Sequence, residues 1–137
     1  MPGNKVRITI SGTRKLKEAL SALAKAPRAS QDLADLVSSA ARRLRDEARA
    51  AAPKRTGLLR SAIFADTRRP FYDPDGISVL VGINANRAPH WVFIEYGTRR
   101  IPARPFWRPT LDRMTPVMRK EIRRGIYALA ERYNKLS

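Results

Sequence analysis

The chain has 137 residues, 43% of them hydrophobic, no cysteine and a formal net charge of +16. That length fits one domain able to bury a modest core without covalent staples, and the absence of thiols excludes a disulfide framework, a cysteine nucleophile and a cysteine-ligated metal. No apolar run approaches the ~18–20 residues of a bilayer span. The opening "MPGNKVRITI" also lacks the basic head, apolar centre and cleavage site of a signal peptide, so a protein used without membrane passage is expected.

In chain order, "KVRITISG" alternates, with Val6, Ile8 and Ile10 on one side, and predicts a half-buried strand. Thr13 could cap a short helix carrying Leu16, Ala19, Leu20 and Leu23, ended by Pro27. Ser30 is the next expected N-cap. After it, Leu33, Leu36, Val37, Ala40, Ala41, Leu44 and Ala48 form one apolar stripe of a long amphipathic helix, Ser30 to Ala51, stopped by Pro53. Gly57 supplies a turn, and Leu59, Ala62, Ile63 and Phe64 lead into a strand. "RPFYDPDG" has the prolines and Asp-Gly of a loop. "ISVLVGI" predicts a strand over Ile77–Ile83, and "HWVFIEYG" another, completing an antiparallel meander. A second long helix is expected from Pro109 to Asn134, its buried face marked by Leu111, Met114, Met118, Ile122, Ile126, Leu129 and Tyr133, with Pro116 kinking or dividing it. The sum is one α+β domain over residues 1–137. A small antiparallel sheet of about four strands packs against a long amphipathic helix, with a second long helix at the C-terminus.

Charge is unevenly distributed. Residues 1–60 carry 14 basic against 5 acidic side chains, residues 61–98 carry 3 against 4, and residues 99–137 carry 11 against 3. Such an excess attracts polyanions or an acidic protein surface. No catalytic, cofactor-binding or metal-ligating set is expected. His90 is the one histidine, no nucleophile elbow surrounds a serine, Asp73 and Asp75 suit a turn better than a calcium loop, and no glycine-rich phosphate loop occurs.

The segment "EYGTRRIPARPFWRPT" stands out. Pro102, Pro105 and Pro109 stiffen an extended arm over residues 97–109, and stiffness lowers the entropy lost on docking. Phe106 and Trp107, with Arg104 and Arg108, have the composition of interface anchors. Alternation along an extended arm would send one aromatic into the core and the other to a neighbour. Glu95, alone among so many arginines, is expected to pair with Arg55, Arg60 or Arg104, within the subunit or across a subunit contact.

Two segments together resemble the signatures of a family of small tail-component proteins of long-tailed bacteriophages: "AAPKRTGLLRSAI", with Pro53, Thr56 and Gly57, and "VFIEYGTRRIPARPFWRPT", with Glu95, Gly97, Pro105 and Phe106. Trp107 stands where an aliphatic residue is common, and Tyr96 where phenylalanine is common. The resemblance implies a non-enzymatic role in the virion neck, assembled in the bacterial host cytoplasm. The protein would act as a tail-completion or head–tail joining protein forming a homo-oligomeric ring, expected to be a hexamer. Its implied partners are the head-closure or connector proteins and the tail-terminator or tail-tube proteins, with DNA a possible contact in the lumen. The alternative read from charge alone is a basic nucleic-acid-binding protein. Steep salt dependence would mark it, though no nucleic-acid motif accompanies the arginines.

Overall fold

The computed structural model describes residues 4–9, 29–54, 57–73 and 76–136. The expected helix from Thr13 to Pro27, and the motif residue Thr56, lie outside them. The described elements are β1 (Lys5–Thr9), α1 (Ala29–Ala51), α2 (Leu58–Ala62), β2 (Ile63–Asp73), β3 (Gly76–Ile83), α3 (Trp91–Tyr96) and α4 (Trp107–Leu136). The α+β class holds, with a three-stranded antiparallel sheet in the order β1-β3-β2.

The strand β3 is central because it is apolar on alternate positions and flanked by partners of opposite direction. Val79, Val81 and Ile83 are fully buried, and their face of the sheet receives α1. The stripe read from the sequence forms this contact: Leu33, Val37, Ala40, Ala41, Leu44 and Ala48 are buried together with Ile63, Val79 and Val81. Alanines at 40, 41 and 48 keep the helix close to the sheet.

Along α4, Met114, Met118, Ile122, Ile126 and Ala130 recur every four residues and are buried. They lay the helix beside α1 in the opposite direction. Arg43 pairs with Glu121, and Arg113 with Glu47 at 2.9 Å, so partners move down α4 as they move up α1. Both pairs are well exposed and, at about 0–1 kcal/mol each, mark the register more than they hold it. Close approach is set at Gly125, where a Cβ would stand 2.5 Å from Leu36 Cδ1.

Three expectations are corrected. His90–Tyr96 does not form a strand: residues 91–96 are helical. Their aromatic and β-branched composition favours strands, but Trp91 and Glu95, four apart, are both buried on one helical face. The turn before them is wound by Asn84, whose side-chain oxygen accepts N–H bonds from Asn86 and Arg87 and whose carbonyl accepts from Arg87 and Ala88. The place expected for that strand in the sheet is taken by β1, which pairs with β3 from Lys5↔Gly82 to Thr9↔Ser78.

The second correction concerns "RPFYD", expected in a loop, which continues β2 to Asp73. The pairing jumps from Asp66↔Leu80 to Phe71↔Ser78. Pro70, which cannot donate to a ladder, falls in that irregularity, and the strand resumes beyond it. Third, of the kink or division expected at Pro116, division does not occur: the C-terminal helix runs unbroken from Trp107 to Leu136. Pro116 is solvent-exposed, so water can serve the carbonyl it leaves without a donor.

Candidate functional site: an arm latched by a buried carboxylate

Between α3 and α4 lies the arm singled out in the sequence. Its base is built from main chain. The Gly97 N–H donates to the Phe93 carbonyl at 2.8 Å and closes α3, and the Arg104 N–H donates to the Ile94 carbonyl at 2.7 Å. Within the arm, Thr98 donates its N–H to the Ile101 carbonyl at 2.8 Å, and its hydroxyl oxygen accepts the N–H groups of Arg100 and Ile101. The chain thus leaves α3, turns, and returns to α3 before α4 begins.

Glu95 is the latch. One carboxylate oxygen accepts the N–H groups of Phe106 and Trp107 at 2.8 and 3.0 Å, and the other accepts the N–H of Arg108 at 2.9 Å. These are first-turn donors of α4, which have no partner inside the helix, and the positive end of the helix dipole favours the carboxylate. Glu95 therefore caps a helix that begins twelve residues after it. Glu95 is only 4% exposed.

Among the described residues, no arginine pairs with Glu95. Arg55 lies outside the described residues. Arg60 instead donates from Nε and Nη2 to the Ala52 carbonyl, both at 3.3 Å. The Arg104 side chain is exposed, and its residue contributes to the latch through its main chain. Three aligned main-chain donors bind the carboxylate without the cost of desolvating a second charge.

The aromatic pair also departs from expectation within the subunit. Phe106 is 1% exposed and Trp107 is fully buried, so neither points outward. The alternation argument fails because Phe106 ends the extended segment while Trp107 starts α4, which changes the direction in which successive side chains project. Thr110 fixes the same turn: its hydroxyl donates to the Phe106 carbonyl at 2.5 Å. Glu95, Phe106 and Trp107 are thus brought together as the frame of the arm. Arg104, Pro105 and Arg108 lie on its exposed side.

Pro53 and Gly57 belong to the other motif, in the connection from α1 to α2. Gly57 has φ 71° and is the N-cap of α2, with the Ser61 N–H donating to its carbonyl at 3.0 Å. Nearby, Arg49 donates from Nε and Nη2 to the Ile63 carbonyl at 3.1 and 2.7 Å. This motif turns the chain from helix into sheet.

Gly97 has φ 74° and ψ 174°, a combination open essentially only to glycine. A Cβ there would lie 2.7 Å from the Ala103 nitrogen. Gly97→Ala is expected to cost about 2–3 kcal/mol and to loosen the arm before the core. Amide exchange at Thr98, Ile101 and Arg104 should accelerate well ahead of exchange in β3. Equal exchange in the variant and the parent would contradict this.

The sequence reading missed three outward apolar side chains. Phe93 is 57% exposed, Ile101 56% and Tyr96 39%. Phe93 and Tyr96, three apart, share the face of α3 opposite Trp91 and Glu95. Read as a strand, the same segment hides that pairing. Arg99, Arg100, Arg104 and Arg108 are exposed in the same stretch. The arm and α3 therefore present apolar side chains among cationic ones on a rigid frame.

The Gly57 turn that leads into α2 and the Glu95–Gly97 closure of the arm are the structural form of the two motifs that in sequence resemble small phage tail components. The family described as "Bacteriophage HK97-gp10, putative tail-component" matches residues 14–97, more than half of the chain. The chain belongs to this HK97-gp10-like family and is a structural tail component of a bacteriophage. The matched span takes in the α1–α2 motif, Glu95 and Gly97 and ends where the arm begins. No curated protein and no solved structure matches the chain.

Proposed function

We propose that the protein is a neck subunit, a tail-completion protein that closes into a ring between the capsid connector and the tail tube. The ring is a hexamer, and its neighbours are the head-closure or connector protein on one side and the tail-terminator or tail-tube protein on the other. It is built in the bacterial host cytoplasm and retained in the virion. Its work is mechanical joining, without catalysis.

One observation carries this reading: an arm latched at its base by Glu95 whose outer side holds Phe93, Tyr96 and Ile101 among arginines. Ring closure requires a heterologous contact, one patch against a different patch on the next copy. Exposed aromatic and aliphatic side chains rimmed by arginine suit such a contact, and a pre-set arm loses little entropy on docking. Arg104 and Arg108 supply the polar part of that contact. Glu95, Phe106 and Trp107 hold the arm in shape from behind.

The test is a Phe93→Ser, Ile101→Ser double variant. Both side chains are largely exposed, so the thermal unfolding midpoint should stay near that of the parent. Native mass measurement and electron microscopy should show rings for the parent and monomers for the variant, and particles carrying the variant should lack joined tails. A parent that stays monomeric with connector and tail partners present, and that is missing from particles, overturns the proposal.

A further inference from the structure

We infer that the outer ridge of α4, formed by Arg119, Lys120, Arg123 and Arg124, is a binding surface for the phosphate backbone of duplex DNA. The buried line of α4 passes through Met118, Ile122 and Ile126, which leaves these four cations exposed on the opposite side. They form two i, i+4 pairs, 119 with 123 and 120 with 124, so they stand in two parallel rows along the helix. Among the described residues none of the four has an ion-pair partner.

The neighbouring acids are already committed or remote. Glu121 is turned to Arg43 across the helix pair, and Glu47 to Arg113. Asp112 is about two turns before the ridge, and Glu131, about two turns after it, is engaged elsewhere. Charge density fits the ligand. Four cations occupy about 7.5 Å of helix axis at 1.5 Å per residue, and duplex DNA carries about one negative charge per 1.7 Å of its axis.

Duplex DNA fits better than an acidic protein because the ridge is regular and poor in anchors. Among the described residues the large apolar side chains exposed beside the four cations are Tyr127 at 39% and Val117 at 36%, a single ring and a small aliphatic, whereas protein interfaces rely on buried aromatic or aliphatic anchors at their centre. Contacts of this kind go to phosphates and carry no base readout. The surface is separate from the arm, so it does not depend on ring formation.

The experiment is fluorescence anisotropy of a labelled mixed-sequence duplex with the full chain, across a salt series. The parent should bind at 50 mM salt and lose affinity with a log–log slope of about −3 to −4, at about −0.9 per phosphate contact. The Arg119→Gln, Lys120→Gln, Arg123→Gln, Arg124→Gln variant should lose most of that slope and bind more than about tenfold more weakly at 100 mM salt. A variant with the same charge loss in the arm, Arg99→Gln, Arg100→Gln, Arg104→Gln, Arg108→Gln, should keep the slope. A charge-retaining variant, Arg119→Lys, Arg123→Lys, Arg124→Lys, should bind within about twofold of the parent and guards against a folding artefact. Three outcomes overturn the inference: no binding at 50 mM salt, equal weakening by the ridge and arm variants, or poly-glutamate binding as tightly as DNA with the same dependence on the ridge.

Discussion

Replacing Phe106 and Trp107 together by alanine is expected to abolish cooperative folding of the subunit. Both side chains are among the largest that are fully enclosed, and truncating a buried Phe or Trp typically costs about 3–5 kcal/mol. The two are adjacent, so their costs do not simply add. Even so, the combined loss is of the same order as the whole stability of a small domain, about 5–15 kcal/mol. Circular dichroism should show little or no unfolding transition at 25 °C for the double variant, and the single variants should melt well below the parent. A double variant that melts like the parent yet fails to join heads to tails would place these rings against a neighbouring molecule instead.

Glu95→Ala should be the most damaging change of a single polar side chain. It leaves the N–H groups of Phe106, Trp107 and Arg108 without their acceptor, the first two of them buried away from water. Hydrogen bonds to a charged group are each worth about 1.5–3 kcal/mol, and the helix dipole adds up to about 2 kcal/mol in partly buried geometry. Shared geometry keeps the total below the sum, and a loss of about 3–5 kcal/mol is expected from urea denaturation. Glu95→Gln retains one acceptor oxygen but turns an NH2 group towards a donor, and should fall about halfway. In both variants amide exchange at Phe106, Trp107 and Arg108 should rise sharply. A loss under about 1 kcal/mol with unchanged exchange would show that the latch carries little of the stability.

Long-period signals were the legible ones. The stripes of α1 and α4 are spelled out over many turns, and Leu33, Val37, Ala40, Ala41, Leu44, Ala48, Met114, Met118, Ile122 and Ile126 are buried as read, with Leu36, Leu111 and Leu129 partly buried beside them. Alternation in Val6-Arg7-Ile8 identified β1, and the apolar run "ISVLVGI" bounded by turns identified β3. What could not be read is short or made by main chain. Six residues of α3 are too few to separate a helical period from strand composition. Pro70 interrupts the signal of β2 without ending it. The partners of Glu95 are three amide hydrogens, which every sequence has and none displays. The prominent arginines drew attention to charge pairing, whereas the group that binds the carboxylate is the start of a helix. The exposure of Phe93 and Ile101 follows from the same misread helix and from the tight return of the chain at Arg104.

Pro116 has no N–H, so one rung is absent from the α4 ladder, at the carbonyl of Asp112. Unwinding that starts at the far C-terminal end loses its cooperative coupling at that gap. The stub from Trp107 to Thr115 has its own fastenings: the Glu95 carboxylate at its tip, and the hydroxyls of Thr110 and Thr115 donating to the carbonyls of Phe106 and Leu111 at 2.5 Å each. The helix is therefore held separately on the two sides of Pro116: at its tip by these bonds, and beyond the proline by Met118, Ile122 and Ile126 buried in the core. Loosening of the far end leaves the latched tip, and with it the base of the arm, in place.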